Sequence, residues 1–314
     1  MSVDLPGTAD LHAAATRLAG RVRRTPVLEV PGAELGVPGR VLLKLELTQH
    51  TGSFKARGAL NSLLVAAAGA VPAAGVVAAS GGNHGAAVAW AAQTLGLPAT
   101  VFVPSTSPAA KIERVRSFGA DVRVVEGYYP AAAAAATAWA EGRDAVAVPA
   151  YDGFDVVCGQ AGVGLELLDQ AAGAAHVVVA CGGGGLFSGV ALAGQDAYSV
   201  TPVEPDGCPT IHAALAAGEP VDVEVGGVAS DSMGAPRIGA HAFAVARRLG
   251  TRSTLVTGEA VLEARRWLWD ACRVLAEPGG AVALAAVMTG AVAHDGDVVV
   301  VVSGGNHTDV PGSR

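Results

Sequence analysis

Residues 176–189 read His-Val-Val-Val-Ala-Cys-Gly-Gly-Gly-Gly-Leu-Phe-Ser-Gly, a short valine-rich run that ends in four consecutive glycines. An apolar run of this length is typical of a parallel strand buried on both faces, and the glycines indicate a tight turn into a helix. The same order, a short Val/Ala run followed by a longer Ala/Leu-rich stretch, recurs along the chain. This alternation predicts an α/β protein with a mostly parallel sheet.

The rest of the chain divides by the same alternation. Predicted strands cover residues 41–45, 75–79, 99–103, 122–125, 145–148, 176–180, 200–204 and 298–302. The clearest predicted helices cover residues 55–66, 85–95, 111–118, 130–140, 158–171 and 258–276. Because residues 71–149 hold consecutive strand–helix units, we expect them to form a small domain, with residues 1–70 and 150–314 forming a large one.

Composition narrows the class of partner. The 314 residues carry a formal net charge of -7 without a cluster of Lys and Arg, which argues against a nucleic-acid or anionic-membrane surface. The uncharged stretches 58–93 and 177–194 are interrupted by glycines and polar residues, so they suit buried strands and loops better than membrane spans. The N-terminus lacks the apolar core of a signal peptide, so we expect a cytoplasmic protein with a small-molecule partner.

The cysteines favour neither a disulfide framework nor a metal centre. They are widely spaced and form no Cys-x-x-Cys or His/Cys pair. We therefore expect no metal site, and buried unpaired thiols at Cys158, Cys181, Cys208 and Cys272.

Two junctions place a charged or polar group at the start of a helix. Thr51-Gly52-Ser53-Phe54-Lys55-Ala56-Arg57-Gly58 sets Lys55 at a helix N-terminus, where the helix dipole disfavours a positive charge. The amine of Lys55 therefore either points to solvent or is held there, desolvated, as a nucleophile. Ser80-Gly81-Gly82-Asn83-His84-Gly85 opens an Ala-rich helix and either binds a carboxylate or phosphate, or serves as an ordinary Ser/Asn helix cap.

Two further junctions follow valine-rich strands. The four glycines at 182–185 are entropically costly, so they indicate close approach of the main chain to a ligand, most often a phosphate, with a plain turn as the alternative. The run lacks the Lys-Ser/Thr ending of a P-loop and the distal acid of a dinucleotide site. Ser303-Gly304-Gly305-Asn306-His307 either offers a hydroxyl to a ligand or forms a Ser-initiated turn.

Taken in order, these segments resemble the fold-type II pyridoxal-phosphate enzymes, in the serine/threonine dehydratase and serine racemase branch. The resemblance spans nearly the whole chain and implies a two-lobed α/β fold, tryptophan synthase β-like, with parallel-sheet-rich large and small domains. It also implies pyridoxal 5'-phosphate as cofactor, a small hydroxy amino acid as substrate and a homodimer. The matching motifs are Arg24-Thr25-Pro26-Val27, Lys44-Leu45-Glu46, Gln49, Gly52 to Ala59, Ser80 to Gly85, Gly159-Gln160, Gly182 to Gly185, Glu204-Pro205, Glu277-Pro278 and Ser303 to Asn306.

The resemblance implies roles for individual residues. Lys55 matches the catalytic lysine, which binds the cofactor covalently and later removes the substrate Cα proton, and Phe54 packs beside the cofactor. Asn83 bonds the cofactor 3'-oxygen, while Ser303 faces the pyridine nitrogen, where a neutral hydroxyl favours elimination. We expect the cofactor phosphate and the substrate carboxylate at two glycine-containing loops. These comprise Gly182, Gly183, Gly184 and Gly185 for the phosphate, and Ser80, Gly81, Asn83 and His84 for the carboxylate.

Several positions depart from the family pattern. Gly81 stands where racemases have a serine that acts on the opposite face of the substrate, so we expect elimination without racemisation. Thr210 replaces an acid that, with a residue near Glu204, completes a cation site in the racemase branch, so we expect no metal there. Pro149-Ala150-Tyr151-Asp152 replaces the usual His-Pro pair, which indicates a pocket for an unusual side chain. The chain ends shortly after Ser303, so we expect no regulatory domain.

Dehydration of a serine- or threonine-type substrate to a 2-oxo acid and ammonia is the favoured function. Serine racemisation and β-replacement are alternatives, and Ala56 disfavours the latter because such enzymes usually carry Asp there. A nicotinamide-dependent oxidoreductase is disfavoured by the missing distal acid. A non-catalytic binding protein of the same fold would not need Lys55, Asn83 and Ser303 together.

Overall fold

Two separate sheets organise the computed structural model, which describes residues 3–69, 73–307 and 309–311. The strands are β1 (Val27–Pro31), β2 (Arg40–Leu45), β3 (Val76–Ala79), β4 (Ala99–Pro104), β5 (Asp121–Val125), β6 (Val146–Ala147), β7 (His176–Ala180), β8 (Ser199–Pro205), β9 (Thr254–Val256) and β10 (Val298–Val302). The larger sheet has the order β1-β2-β10-β7-β8-β9, and the smaller one β5-β4-β3-β6. All neighbouring strands are parallel except β1 and β2.

Helices connect the parallel strands, as crossover connections in parallel sheets require. They are α1 (Thr8–Leu18), α2 (Lys55–Ala67), α3 (Asn83–Leu95), α4 (Ala109–Ser117), α5 (Tyr129–Glu141), α6 (Phe154–Gln170), α7 (Gly185–Gly194), α8 (Thr210–Ala217), α9 (Ser230–Met233), α10 (Ala240–Leu249), α11 (Gly258–Cys272) and α12 (Pro278–Met288). Within the described parts of the chain, no helix combines the length and apolarity needed to cross a membrane.

The core of the larger sheet is built around β10, whose five valines are all buried. Val299 and Val301 pack into the cluster formed with α6, α7 and α10, whereas Val298, Val300 and Val302 pack against α11 and α12 on the other face. A continuous valine run thus serves both faces of a covered parallel sheet.

A buried ion cluster fixes the first turn of α2. The Arg57 guanidinium donates from Nε to Glu46 at 2.9 Å and from Nη1 to Glu166 at 2.7 Å. The amine of Lys44 donates to the second Glu166 oxygen at 2.5 Å. Glu46 follows β2 and Glu166 lies in α6, so the cluster ties three elements together close to Lys55. Removing one partner would leave a buried charge, at a cost of about 3–5 kcal/mol.

The observed elements confirm the predicted α/β class, and each predicted strand overlaps an observed one. The sequence does not predict β1 and β9, since these short strands are only partly buried and lack a long apolar run. The helix predicted at 258–276 ends earlier, at Cys272, because Arg273 adopts a left-handed conformation with φ 55°.

We propose that the two sheets correspond to two domains, residues 71–149 and the remainder of the chain. The smaller sheet lies within residues 76–147, and every strand of the larger sheet lies outside them, which supports this division. The first boundary falls at residues 70–72, outside the described residues.

Candidate active site

Lys55 is the first residue of α2 and lies where two cavities meet. Its Nζ donates to the carbonyl oxygen of Ala150 at 2.7 Å and lies 5.1 Å from the centre of the Phe54 ring. Burial lowers the pKa of the Lys55 amine to about 8, against the opposing effect of the acidic Glu277. The ion cluster behind α2 and the bridge between Ser53 and Gly304 hold the backbone at this point. With this pKa, part of the Lys55 amine is uncharged and nucleophilic near neutral pH.

The smaller cavity, ≈ 50 Å³, is lined by the glycine run between β7 and α7. Gly184 has φ +89°, a left-handed conformation that favours glycine. A Cβ on Gly183 would overlap the Tyr151 ring, and one on Gly184 would overlap Ala242. The first intrahelical hydrogen bond of α7 runs from Ser188 N to Gly184 O, so the preceding N–H groups have no acceptor within the helix. This loop offers only backbone donors, at the positive end of a helix dipole.

The larger cavity, ≈ 470 Å³, is lined on one side by the loop between β3 and α3. The Ser80 hydroxyl accepts a hydrogen bond from Gly82 N at 3.1 Å, and Ala86 N makes an early bond of α3 to Gly82 O. The ring of His84 is buried, and its Nε2 lies 3.0 Å from the carbonyl oxygen of Val148. Burial, reinforced by the positive Lys55, lowers the pKa of His84 to about 3, so this ring is neutral.

Asn83 lies between the two cavities, and its side chain is held in one orientation. Its Nδ2 donates to Glu277 at 2.6 Å, while its Oδ1 accepts from Asn306 Nδ2 at 2.6 Å. Asn306 Nδ2 also lies 2.7 Å from the carbonyl oxygen of Thr51. Burial raises the pKa of the Glu277 carboxyl group to about 7, although the Asn83 bond opposes this shift. One N–H of Asn83 is thereby engaged by Glu277, which leaves the second free to bond a ligand.

The sequence motifs do not assign roles to Glu277 or Tyr151. Glu277 belongs to a Glu-Pro pair that forms part of the family resemblance, but its contact with Asn83 crosses almost two hundred residues and has no local pattern. Tyr151 lines both cavities and packs against Gly183, and its hydroxyl donates to the carbonyl oxygen of Arg237 at 3.2 Å. In the sequence, the replacement of the usual His-Pro pair at residues 149–152 is the feature that points to a role for Tyr151.

The structure brings the remaining predicted residues to these cavities. Ser303 follows β10, is buried, and its hydroxyl donates to Gly279 O at a long 3.4 Å. The smaller cavity is lined by Phe54, Lys55, Asn83, Gly182, Gly183, Gly184, Gly185 and Ser303. The larger one is lined by Lys55, Ser80, Gly81, Asn83 and His84.

Glu204 lies apart from both cavities, beneath the N-terminus of α8. Its carboxylate accepts hydrogen bonds from Ile211 N at 2.7 Å and His212 N at 2.9 Å, and Thr210 Oγ1 lies 2.8 Å away. Burial raises the pKa of the Glu204 carboxyl group to about 7, although these hydrogen bonds act to lower it. Among the described residues, no group of three or more His, Cys, Asp or Glu side chains is placed to hold a metal ion. The Glu204 carboxylate is occupied as a helix cap.

A family model described as pyridoxal-phosphate dependent enzyme matches residues 18–304. The chain belongs to this family. The pyridoxal-phosphate enzymes similar to it include an L-threonine ammonia-lyase from Geobacter sulfurreducens, 36% identical over 92% of this chain and 73% of that protein. A phenylserine dehydratase from Ralstonia pickettii is also 36% identical, over 98% of this chain and 94% of that protein.

Solved structures of pyridoxal-phosphate enzymes place the chain in the same branch. Maize serine racemase superposes with a TM-score of 0.91 at 30% identity, covering 97% of this chain and 95% of that one. A threonine deaminase from T.th. superposes with a TM-score of 0.90 at 35% identity, covering 98% of this chain and 100% of that one. The fold-type II assignment and the dehydratase and racemase branch are confirmed, and the chain is an ammonia-lyase or dehydratase that uses pyridoxal phosphate.

The residues around Lys55 fit this cofactor. The glycine loop leaves no room for a Cβ at Gly183 or Gly184 and presents backbone N–H groups, which suits a phosphate group. The amine of Lys55, with its lowered pKa, suits covalent attachment to an aldehyde. The free N–H of Asn83 is available to an oxygen on the cofactor ring.

Proposed function

We propose that this enzyme dehydrates small L-hydroxy amino acids of the serine and threonine type, releasing a 2-oxo acid and ammonia. The observation that carries the proposal is the position of the Lys55 amine, which borders the glycine cavity and the larger cavity at once. A cofactor held by the glycine loop and a substrate held by the Ser80–His84 loop would therefore meet at this amine. The dehydratase relatives support the reaction type.

The cofactor-binding residues have distinct parts in the proposal. The backbone N–H groups of Gly182 to Gly185 bind the phosphate group, and Phe54 packs beside the ring. Asn83 donates its free N–H to the ring oxygen, in an orientation fixed by Glu277 and Asn306. Ser303 faces the ring nitrogen with a neutral hydroxyl. When bound, pyridoxal phosphate withdraws the negative charge that develops at the substrate Cα.

Lys55 acts as the base, and the loop before α3 orients the substrate. The N-terminus of α3, with the Ser80 hydroxyl beside it, receives the substrate carboxylate. The amine of Lys55 accepts the Cα proton, which its pKa of about 8 permits near neutral pH. Lys55 is partly buried, and this burial favours the uncharged form of its amine, which is the form that can accept a proton.

Release of 2-oxo acid tests the reaction. Purified protein loaded with pyridoxal phosphate should be yellow and should convert L-serine and L-threonine to pyruvate and 2-oxobutanoate, measured by a coupled dehydrogenase assay. Chiral chromatography of the residual amino acid distinguishes dehydration from racemisation. Absence of 2-oxo acid from every hydroxy amino acid, with the cofactor bound, would refute the proposal.

We extend the proposal to a homodimer, as the family resemblance implies. Light scattering coupled to size-exclusion chromatography tests the assembly, and a monomeric holoenzyme with full activity would contradict it.

A further inference from the structure

Three tyrosines, Tyr128, Tyr129 and Tyr151, line the larger cavity. Tyr128 and Tyr129 stand at the start of α5, with 74% and 43% of their surface exposed, whereas Tyr151 precedes α6 and lines the same cavity. Within the described parts of the chain, none of these rings stacks on another aromatic ring. Exposed, unpartnered rings that line a cavity favour contact with a flat apolar ligand group.

Tyr129 and Tyr151 line this cavity and lie near each other. Burial raises the pKa of both hydroxyls, and the pKa of Tyr151 is raised further by the proximity of Tyr129. Tyr151 is fixed, because its ring packs on Gly183 and its hydroxyl bonds to Arg237 O. Tyr129, by contrast, keeps 43% of its surface exposed. The pair therefore combines one ring that supports the glycine loop with one ring that is partly open to solvent.

The rest of the cavity lining combines apolar residues with four hydroxyl side chains, those of Thr106, Ser107, Ser230 and Ser232. Four prolines and a methionine contribute to it: Pro104, Pro108, Pro130, Pro236 and Met233. Besides Lys55, the one acidic or basic side chain that carries charge among the described lining residues is Asp231, which is paired with Lys111. His84 is neutral. Because Asp231 already pairs with Lys111, an uncharged substituent large enough to cover the tyrosine rings fits this lining better than an anion or a methyl group.

We propose that this cavity selects hydroxy amino acids with an aromatic ring on Cβ, of the 3-phenylserine class, over serine and threonine. The inference rests on the proposed dehydration and specifies the side chain. The reaction is unchanged: the Cα–H and Cβ–O bonds break, water leaves, and the released enamine tautomerises. One water then hydrolyses it, so 3-phenylserine gives 2-oxo-3-phenylpropanoate and ammonia.

Competing substrates on the holoenzyme provide the test. We expect kcat/KM for L-threo-3-phenylserine to exceed that for L-threonine by at least about tenfold, the scale on which apolar pockets discriminate. Among unreactive inhibitors, L-phenylalanine should bind more tightly than L-alanine, because it offers the ring without the leaving hydroxyl. This comparison of inhibitor binding tests whether the cavity accepts an aromatic ring, even if no substrate is dehydrated.

Variants of Tyr129 test whether the tyrosine side chains that line the larger cavity cause the substrate preference. Tyr129→Ala should lower the phenylserine-to-serine ratio of kcat/KM about tenfold, whereas Tyr129→Phe, which keeps the ring, should retain it. Val124→Ala, on an exposed residue of β5 outside the cavity, controls for general loosening of the smaller sheet.

Each outcome decides between the two proposals. Preference for phenylserine that falls in Tyr129→Ala and persists in Tyr129→Phe supports the inference. Turnover of serine and threonine with no such preference, or an unchanged ratio in Tyr129→Ala, overturns it and leaves the dehydratase proposal standing. Tight L-phenylalanine binding without any 2-oxo acid would refute the proposed function while supporting an aromatic pocket.

Discussion

Two loops of this enzyme follow the same plan and differ in what they offer a ligand. The loop before α3 and the loop before α7 each connect a parallel strand to a helix through consecutive glycines. The first retains the polar side chains of Ser80, Asn83 and His84, whereas the second has no side chain at all from Gly182 to Gly185.

From this difference we propose that one local architecture binds two different anions. In the loop before α7, neighbouring groups fill the space in which a side chain would stand, so recognition falls to the backbone. In the loop before α3, side chains are anchored from behind, Asn83 by Glu277 and His84 by Val148. A backbone site suits a permanent cofactor, and an anchored side-chain site suits a substrate that must be oriented and released.

Lys55 lies between the two loops, so removing its amine should separate binding from chemistry. Lys55→Ala should lower turnover by at least about 10³-fold, because both the covalent attachment and the base are lost. Both loops stay intact, so phosphate-containing ligands should still bind. Absorbance spectra after dialysis check the attachment, and persistence of the covalent absorbance band would mean that another lysine holds the cofactor.

Adding a side chain to the loop before α7 should abolish its function as a backbone site. Gly184→Val should weaken pyridoxal-phosphate affinity at least about tenfold, because valine at φ +89° is strained and overlaps Ala242. Fluorescence titration measures the affinity, and circular dichroism monitors folding. Gly226→Val is the matched control, since an added Cβ there meets open space and φ is not positive. Equal affinity in Gly184→Val would contradict the phosphate assignment.

The negative charge of Glu277, which accepts a hydrogen bond from Asn83, should affect the pH dependence of covalent pyridoxal-phosphate binding by the cofactor-free enzyme. Only a neutral Lys55 attacks the aldehyde, and its pKa is about 8. The capture rate should therefore rise about tenfold per pH unit below pH 8 and level off above it. Glu277→Gln removes the negative charge that opposes the lowering of this pKa, so the inflection should move to lower pH. Stopped-flow absorbance measures the profile, and an unmoved inflection would show that Glu277 does not act on Lys55.

The smallest effect should come from restoring a hydroxyl in the loop before α3. A Cβ on Gly81 would overlap the Ser107 hydroxyl and lie 2.8 Å from Val103, so Gly81→Ser requires Ser107 to move. The parent enzyme should consume L-serine without accumulating D-serine, and Gly81→Ser combined with Ser107→Gly should give trace racemisation at most a few-fold above background. Chiral chromatography decides this. Appreciable D-serine from the parent, lost in Ser107→Ala, would identify Ser107 as the proton donor on that face.

The sequence predicts those structural features that depend on residues close to one another along the chain. Valine runs predict the buried strands, and the glycine runs predict where main chain and ligand approach each other. The contacts of Glu277 with Asn83, and of Tyr151 with Gly183, join residues that are distant along the chain, so no periodicity encodes them. Tyr128 and Tyr129 immediately precede the predicted helix 130–140, and only the folded chain shows that they line the same cavity as Tyr151.

The double contact of Tyr151 constrains how this enzyme can be redesigned or can evolve. The same ring supports the glycine loop and forms part of the cavity wall. A smaller residue at this position would enlarge the space beside Lys55 and at the same time remove the packing behind Gly183. Libraries that vary substrate range should therefore begin at Tyr129, where a change of side chain leaves the glycine loop untouched, and lineages that diverge in substrate should vary there first.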